Sequence, residues 1–222
     1  MNEDSPFLSL KEINKEISDF YERDVDDIIR FKDIQRESFL KIHADIVSTH
    51  IIKALQPIER NISFPEMNTN IAILCIGVEK LLALCLMQKD WIGFWTEYQK
   101  NKRKIAFSFL KKRVLSDVKE EYSEEQYERL SDILDHFFLQ RNNFIHSNPR
   151  GTTHYVTEDT QIILILVLAH HYKIPLTKKA ISEMFKILEH PFGRSGLQLR
   201  DVGFFEQRDL FREELEAIGE KR

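Results

Sequence analysis

The sequence predicts an all-α helical bundle, and three observations carry that prediction. Gly and Pro, the residues that interrupt helices, number only 7 and 6 in 222 residues. The chain is rich in Leu, Ile, Lys and Glu, which suit helix interiors and surfaces. Apolar residues recur at helical spacing in segment after segment, and 16 Phe provide bulk for a large core.

The elements follow in order. Ser9 caps a first helix running to about Glu22. A long second pattern covers about Asp24 to Leu55, with Ile28, Ile29, Phe39, Leu40, Ile46, Val47, Ile51 and Ile52 as its apolar set, and ends near Pro57. Ile58 to Met67 reads as irregular. Asn68 or Asn70 then opens a strongly hydrophobic helix to about Gln88, apolar nearly all round, which predicts a central element buried on most sides. Trp91 to Tyr98 reads as a short aromatic helix or turn, and Ile105 to about Glu121 as a helix. Ser123-Glu124-Glu125-Gln126 is a capping box. Its helix runs through Leu130, Ile133, Leu134, Phe137 and Phe138 and stops at Asn148-Pro149, because the residue before proline is pushed out of the helical region. Thr152 to Val156 is a short connection, and Thr157 caps a helix to about His171. The core of that helix, Ile162 to Leu168, has the composition of a buried strand, but no partner strand is evident and helix is expected. Thr177 starts a helix ending near His190, Gly193 to Leu199 links, and Phe204 to Gly219 forms a charged terminal helix. A single domain over residues 1–222 is expected.

Composition narrows the function classes. The formal net charge is −4, which argues against a protein whose whole surface binds nucleic acid and leaves room for a local basic site. Cys75 and Cys85 lie in one apolar helical pattern, at a spacing that suits neither a zinc knuckle nor a redox pair, so buried thiols are expected. No metal or other cofactor is expected: His170-His171 and the pair His43 and His50 have no further ligands at helical spacing. The acidic N-terminus has no apolar signal region, and the longest apolar runs are too short to span a bilayer, so a cytoplasmic protein without membrane contact is expected.

One stretch carries chemistry: Arg141-Asn142-Asn143-Phe144-Ile145-His146. Arg is a fixed cation that grips phosphate through a planar fork, and His moves protons near neutral pH. On a helix Asn142 and His146 share a face, and Arg141 lies about 100° round from Asn142. RNA cleavage by its own 2′-hydroxyl needs an acid/base, for which His146 is the candidate. It also needs charge stabilisation at the phosphoryl oxygens, for which Arg141 is the candidate. Asn142 can hold a phosphate oxygen or orient the imidazole. One His does not easily serve both proton transfers, and two copies of the helix facing each other would supply a second. The looser matches Arg36…His43 and Arg129…His136 have Glu37 and Leu130 after the Arg, where a neutral polar group is wanted.

Lys100, Lys102, Arg103, Lys104, Lys111, Lys112 and Arg113 form the main basic cluster, interleaved with Phe107 and Phe109. It reads either as a phosphate-tracking rim near the cleft or as an ordinary solvated helix face. Arg150 is a further phosphate candidate. Trp91, Phe94, Trp95 and Tyr98 suit core packing better than a base-stacking platform.

The Arg-Asn-x-x-x-His sequence at a helix end, after several amphipathic helices, resembles the HEPN superfamily (higher eukaryotes and prokaryotes nucleotide-binding domain). Gly77-Val78-Glu79-Lys80-Leu81-Leu82 is similar to the earlier helix of that fold. The likeness covers about residues 46–188, leaving N-terminal helices over 9–45 and the C-terminal helix over 204–219 as extensions. The resemblance implies a helical bundle, a symmetric homodimer and metal-independent endoribonuclease activity, with Arg141, Asn142 and His146 as the site, RNA as substrate, and a toxin or phage-defence role opposed by a protein antitoxin. Some toxin members carry a Tyr two places after the His for modification by a partner enzyme; Asn148 stands there in this chain. Two other classes remain open: a non-catalytic HEPN-like module binding RNA, nucleotide or a protein partner, and a helical dimerisation protein with no ligand.

Overall fold

The computed structural model describes residues 24–55, 64–101, 105–145, 158–189, 206 and 208–220. All regular structure among them is helical: α1 (Val25–Ile29), α2 (Asp33–Ala54), α3 (Phe64–Lys89), α4 (Trp91–Lys100), α5 (Phe107–Val118), α6 (Glu124–Ile145), α7 (Glu158–His171), α8 (Lys178–Glu189) and α9 (Arg212–Gly219). No helix among the described residues is long and apolar enough to cross a membrane.

Helix α3 is the axis of the bundle, as its nearly uniform apolar surface predicts. It packs against α2, α4, α5, α6 and α7. Leu74, Val78, Leu81, Leu82 and Cys85 are all buried along it. Helix α2 comes close at Gly77, where an added Cβ would lie 3.3 Å from the His50 Cβ. Helix α7 is the second buried element: every residue from Gln161 to Ala169 is buried. Its Ile162–Leu168 run is therefore helix, enclosed by α3, α6, α8 and α9 rather than paired in a sheet. One apolar cluster extends from Val25 to Ile218, so α1 and α9 share the core of the central helices.

Three boundaries depart from the sequence reading. The pattern from Asp24 to Leu55 is two helices, broken at Arg30–Lys32. The break lets Phe31 turn inward to stack on Trp91, ring centroids 6.0 Å apart, while the Trp91 indole N–H donates to the carbonyl of Ile28 at 2.9 Å. Gln35 restarts the chain by accepting from the Lys32 amide at 3.0 Å. Helix α3 begins at Phe64, within the stretch expected to be irregular, with Pro65 in its first turn, where a missing N–H costs nothing. The C-terminal helix is interrupted at Phe211, which is fully buried and packs edge-on to Tyr122. The expected Ser9 helix, the Thr157 cap, the 152–156 connection, the stop at Asn148-Pro149 and the 193–199 linker lie outside the described residues.

Several local expectations hold. The Ser123 hydroxyl accepts from the Gln126 amide at 3.2 Å and Gln126 accepts in return from the Ser123 amide at 3.1 Å, closing the capping box. Thr177 caps α8 by accepting from Ala180 N–H. Trp91, Phe94 and Trp95 are buried and pack edge-on and tilted among themselves and with Phe39, as core residues. Cys75 and Cys85 are buried free thiols, and burial pushes the Cys85 thiol up.

Candidate functional site

Arg141 and Asn142 form part of the last turn of α6. That helix is held by its buried stripe of Leu130, Ile133, Leu134 and Phe137. Helix α5 runs antiparallel beside it: Phe107 at the start of α5 stacks on Phe138 of α6, centroids 5.8 Å apart, and Lys111 pairs with Asp135. One turn of α6 separates Phe138 from Arg141, about 4.5 Å at 1.5 Å per residue. The N-terminus of α5 therefore lies at the same end of the bundle as Arg141 and Asn142. Its N-cap is Ala106, which has no side-chain acceptor for the first-turn amides. An open helix N-terminus carries partial positive charge and suits an anion. Asn142 is half-buried. His146, Lys102, Arg103, Lys104 and Arg150 lie outside the described residues, and Arg141 is located by its backbone alone.

The described members of the basic cluster do not share one face. Lys111 is turned to α6 and its charge is engaged by Asp135. Lys112 is exposed. Arg113, two residues beyond Lys111 and so on another side of the helix, borders a cleft with Phe94 and Glu97 of α4. Leu139, on the outward side of α6 and two residues before Arg141, is 57% exposed, an uncovered apolar side chain next to the motif.

His43, His50, His136 and His171 make contacts within the fold. His43 packs on Phe39, centroids 4.1 Å apart; burial, with a smaller push from Lys80, lowers it to about 4. His50 and His136 donate through Nδ1 to the carbonyls of Ile46 and Asp132, each one turn back. His171 lies 3.5 Å from Glu121, yet burial lowers it despite that carboxylate. Among the described residues no three His, Cys, Asp or Glu side chains are grouped to hold a metal ion.

Sequence reasoning missed the polar joints between helices. Ser48, buried on α2, accepts from the Thr177 amide at 3.0 Å and so ties α2 to the start of α8. Gln126, beyond closing the capping box, donates to the carbonyl of Leu210 at 2.9 Å and to Glu214 at 3.3 Å, tying α6 to the C-terminal segment. Asp117 joins the ends of three helices, accepting from Lys89 at 3.2 Å and from the Tyr172 hydroxyl at 3.4 Å. These partners lie 28 to 129 positions apart, so no local pattern announces them.

No protein-family model, curated protein or solved structure matches this chain. The all-α architecture stands on the coordinates, and a functional reading stands on the chemistry of the residues.

Proposed function

We propose that the chain is a metal-independent endoribonuclease of the HEPN type, acting as a homodimer, with Arg141, Asn142 and His146 as its site. The observation that supports the reading is that the Arg141–Asn142 turn and the N-terminus of α5 lie at the same end of the α5–α6 pair. An Arg-Asn pair near the end of one helix, beside a helix N-terminus whose cap residue offers no side-chain acceptor, suits a phosphate. In this reading Arg141 stabilises the phosphorane charge, Asn142 orients the phosphate or the imidazole, and His146 transfers the proton. A second copy supplies the second acid/base. RNA is the substrate, and cleavage leaves a 2′,3′-cyclic phosphate. A toxin or defence role with a protein antitoxin follows from the resemblance alone.

The test incubates wild type and His146→Ala with mixed tRNA and single-stranded RNA in EDTA. Cleavage by wild type alone, with cyclic-phosphate ends, supports the reading. Cleavage abolished by EDTA, or retained in His146→Ala, overturns it.

A second reading is a non-catalytic helical module that docks a protein partner. It is favoured by exposed Leu139 beside the motif and by the Lys111–Asp135 pair, which uses a cation that RNA would need. It is distinguished by RNA or partner binding that survives His146→Ala, without turnover in the wild type.

A further inference from the structure

A cleft of about 300 Å³ opens between α4 and α5, closed at its base by the end of α3. Leu86, Phe94 and Phe109 provide its apolar surface, and Lys89, Asp90, Glu97, Arg113 and Asp117 provide its charges. The volume is at the low end of the ~300–1,000 Å³ range of small-ligand sites, the size of a single small metabolite.

Most of the cleft's charges are already answered from within the fold. Lys89 pairs with Asp117 at 3.2 Å, and Asp117 also accepts from Tyr172. The Asp90 carboxylate caps α4, accepting from the Gly93 amide at 2.9 Å, where the helix N-terminus favours its charge. A Cβ at Gly93 would overlap that carboxylate as placed, so a side chain there would have to displace it. Apart from Asp90, which caps α4, two of the cleft's charges are outside any ion pair among the described residues: Arg113 on α5 and Glu97 on α4. Glu97 accepts only from the neutral amide of Asn101, at 2.8 Å. The cleft is therefore bordered by the guanidinium-bearing Arg113 on α5 and the carboxylate-bearing Glu97 on α4, with Phe94 and Phe109 also in its lining.

We propose that this cleft binds a free aromatic α-amino acid as its zwitterion. The ligand carboxylate sits on the planar fork of Arg113, the ammonium on Glu97, and the ring on Phe94 and Phe109. A purely anionic ligand would face Glu97, Asp90 and Asp117, and a purely cationic one would face Arg113 and Lys89; only an amphoteric ligand answers both walls. The site is separate from the α6 terminus, since Arg113 and Lys111 lie on different sides of α5.

The test titrates the full chain with L-phenylalanine by calorimetry, with tryptophan emission as a second readout. Phe94 packs edge-on to Trp95 at 5.3 Å, so an occupied cleft perturbs that indole. The expected result is saturable binding at one site, weakened about 10-fold or more in Arg113→Gln and in Glu97→Gln, because each removes a charged hydrogen-bond partner. On the wild-type protein, L-phenylalaninamide, which lacks the carboxylate, and 3-phenylpropanoate, which lacks the ammonium, bind at least about 10-fold more weakly. These two ligands test the proposal independently of how the variants fold. No saturable binding of L-phenylalanine, or equal binding of all three compounds, overturns it.

Discussion

Replacing His43 with Gln will flatten the acid side of the stability curve. His43 titrates near 6.5 in the unfolded chain and at about 4 in the folded one, because burial against Phe39 disfavours the imidazolium and Lys80 adds repulsion. The folded-state value lies below the unfolded one, so the unfolded chain binds the proton first. The contribution of His43 is therefore complete above about pH 6.5 and is lost as the pH falls towards 4. A shift from 6.5 to about 4 corresponds, by linkage, to a loss of about 2 kcal/mol between pH 7 and pH 5, and about 3 kcal/mol by pH 4. Gln keeps a polar side chain at the position and does not titrate. Urea unfolding of both proteins from pH 7.5 to pH 5 measures the difference. The wild type is expected to lose about 2 kcal/mol more than His43→Gln over that interval. The comparison uses slopes, so a uniform cost of the substitution does not enter. His171, also lowered by burial, pulls in the same direction in both proteins and cancels. Parallel stability curves would refute the assignment of His43 as a neutral, desolvated side chain.

Three further outcomes follow from local geometry. Gln126→Ala removes the return half of the capping box and both links to the C-terminal segment, and is expected to cost about 1–3 kcal/mol with faster amide exchange in α9; Ser123→Ala, which removes only the cap, is expected to cost about 1 kcal/mol without that exchange signature. Lys173 holds a left-handed backbone, φ 55°, where the chain leaves α7, with Ile174 N–H bonded to the Ala169 carbonyl at 2.8 Å and Lys173 N–H to the His170 carbonyl at 3.1 Å; Lys173→Gly is expected to raise stability by about 1 kcal/mol in thermal unfolding. Gly77→Leu pushes a branched side chain into the tight contact of α3 with His50 of α2 and is expected to lose about 1–3 kcal/mol or more, measured by urea midpoint.

The helices visible in the sequence are those whose signal is local. The capping box at Ser123, the Thr177 cap and the all-round apolar character of α3 each depend on residues within a few positions, and each is found in the structure. The break at Arg30–Lys32 contains neither Gly nor Pro and gives no local warning. It exists because Trp91, about sixty residues on, takes the Ile28 carbonyl and stacks on Phe31. The start of α3 at Phe64 was hidden because the run from Ile58 to Met67 lacks a clear apolar period, although Pro65 is well suited to a first turn.

The functional residues divide in the same way. The Arg141–Asn142 motif is contiguous and is read directly from the chain, together with its place at a helix end. That α5 brings an uncapped N-terminus to that end depends on the antiparallel contact of Phe107 with Phe138, which no spacing encodes. Composition and periodicity by themselves determined the all-α class, the burial of α3 and α7, and the candidate motif, because each is a property of one segment's faces. The tertiary structure alone decided which faces meet, where Phe31 and Phe211 interrupt their helices, and that Glu97 and Arg113 border one cleft. These follow from packing between segments far apart in the chain, where shape and partner charges outweigh local preference.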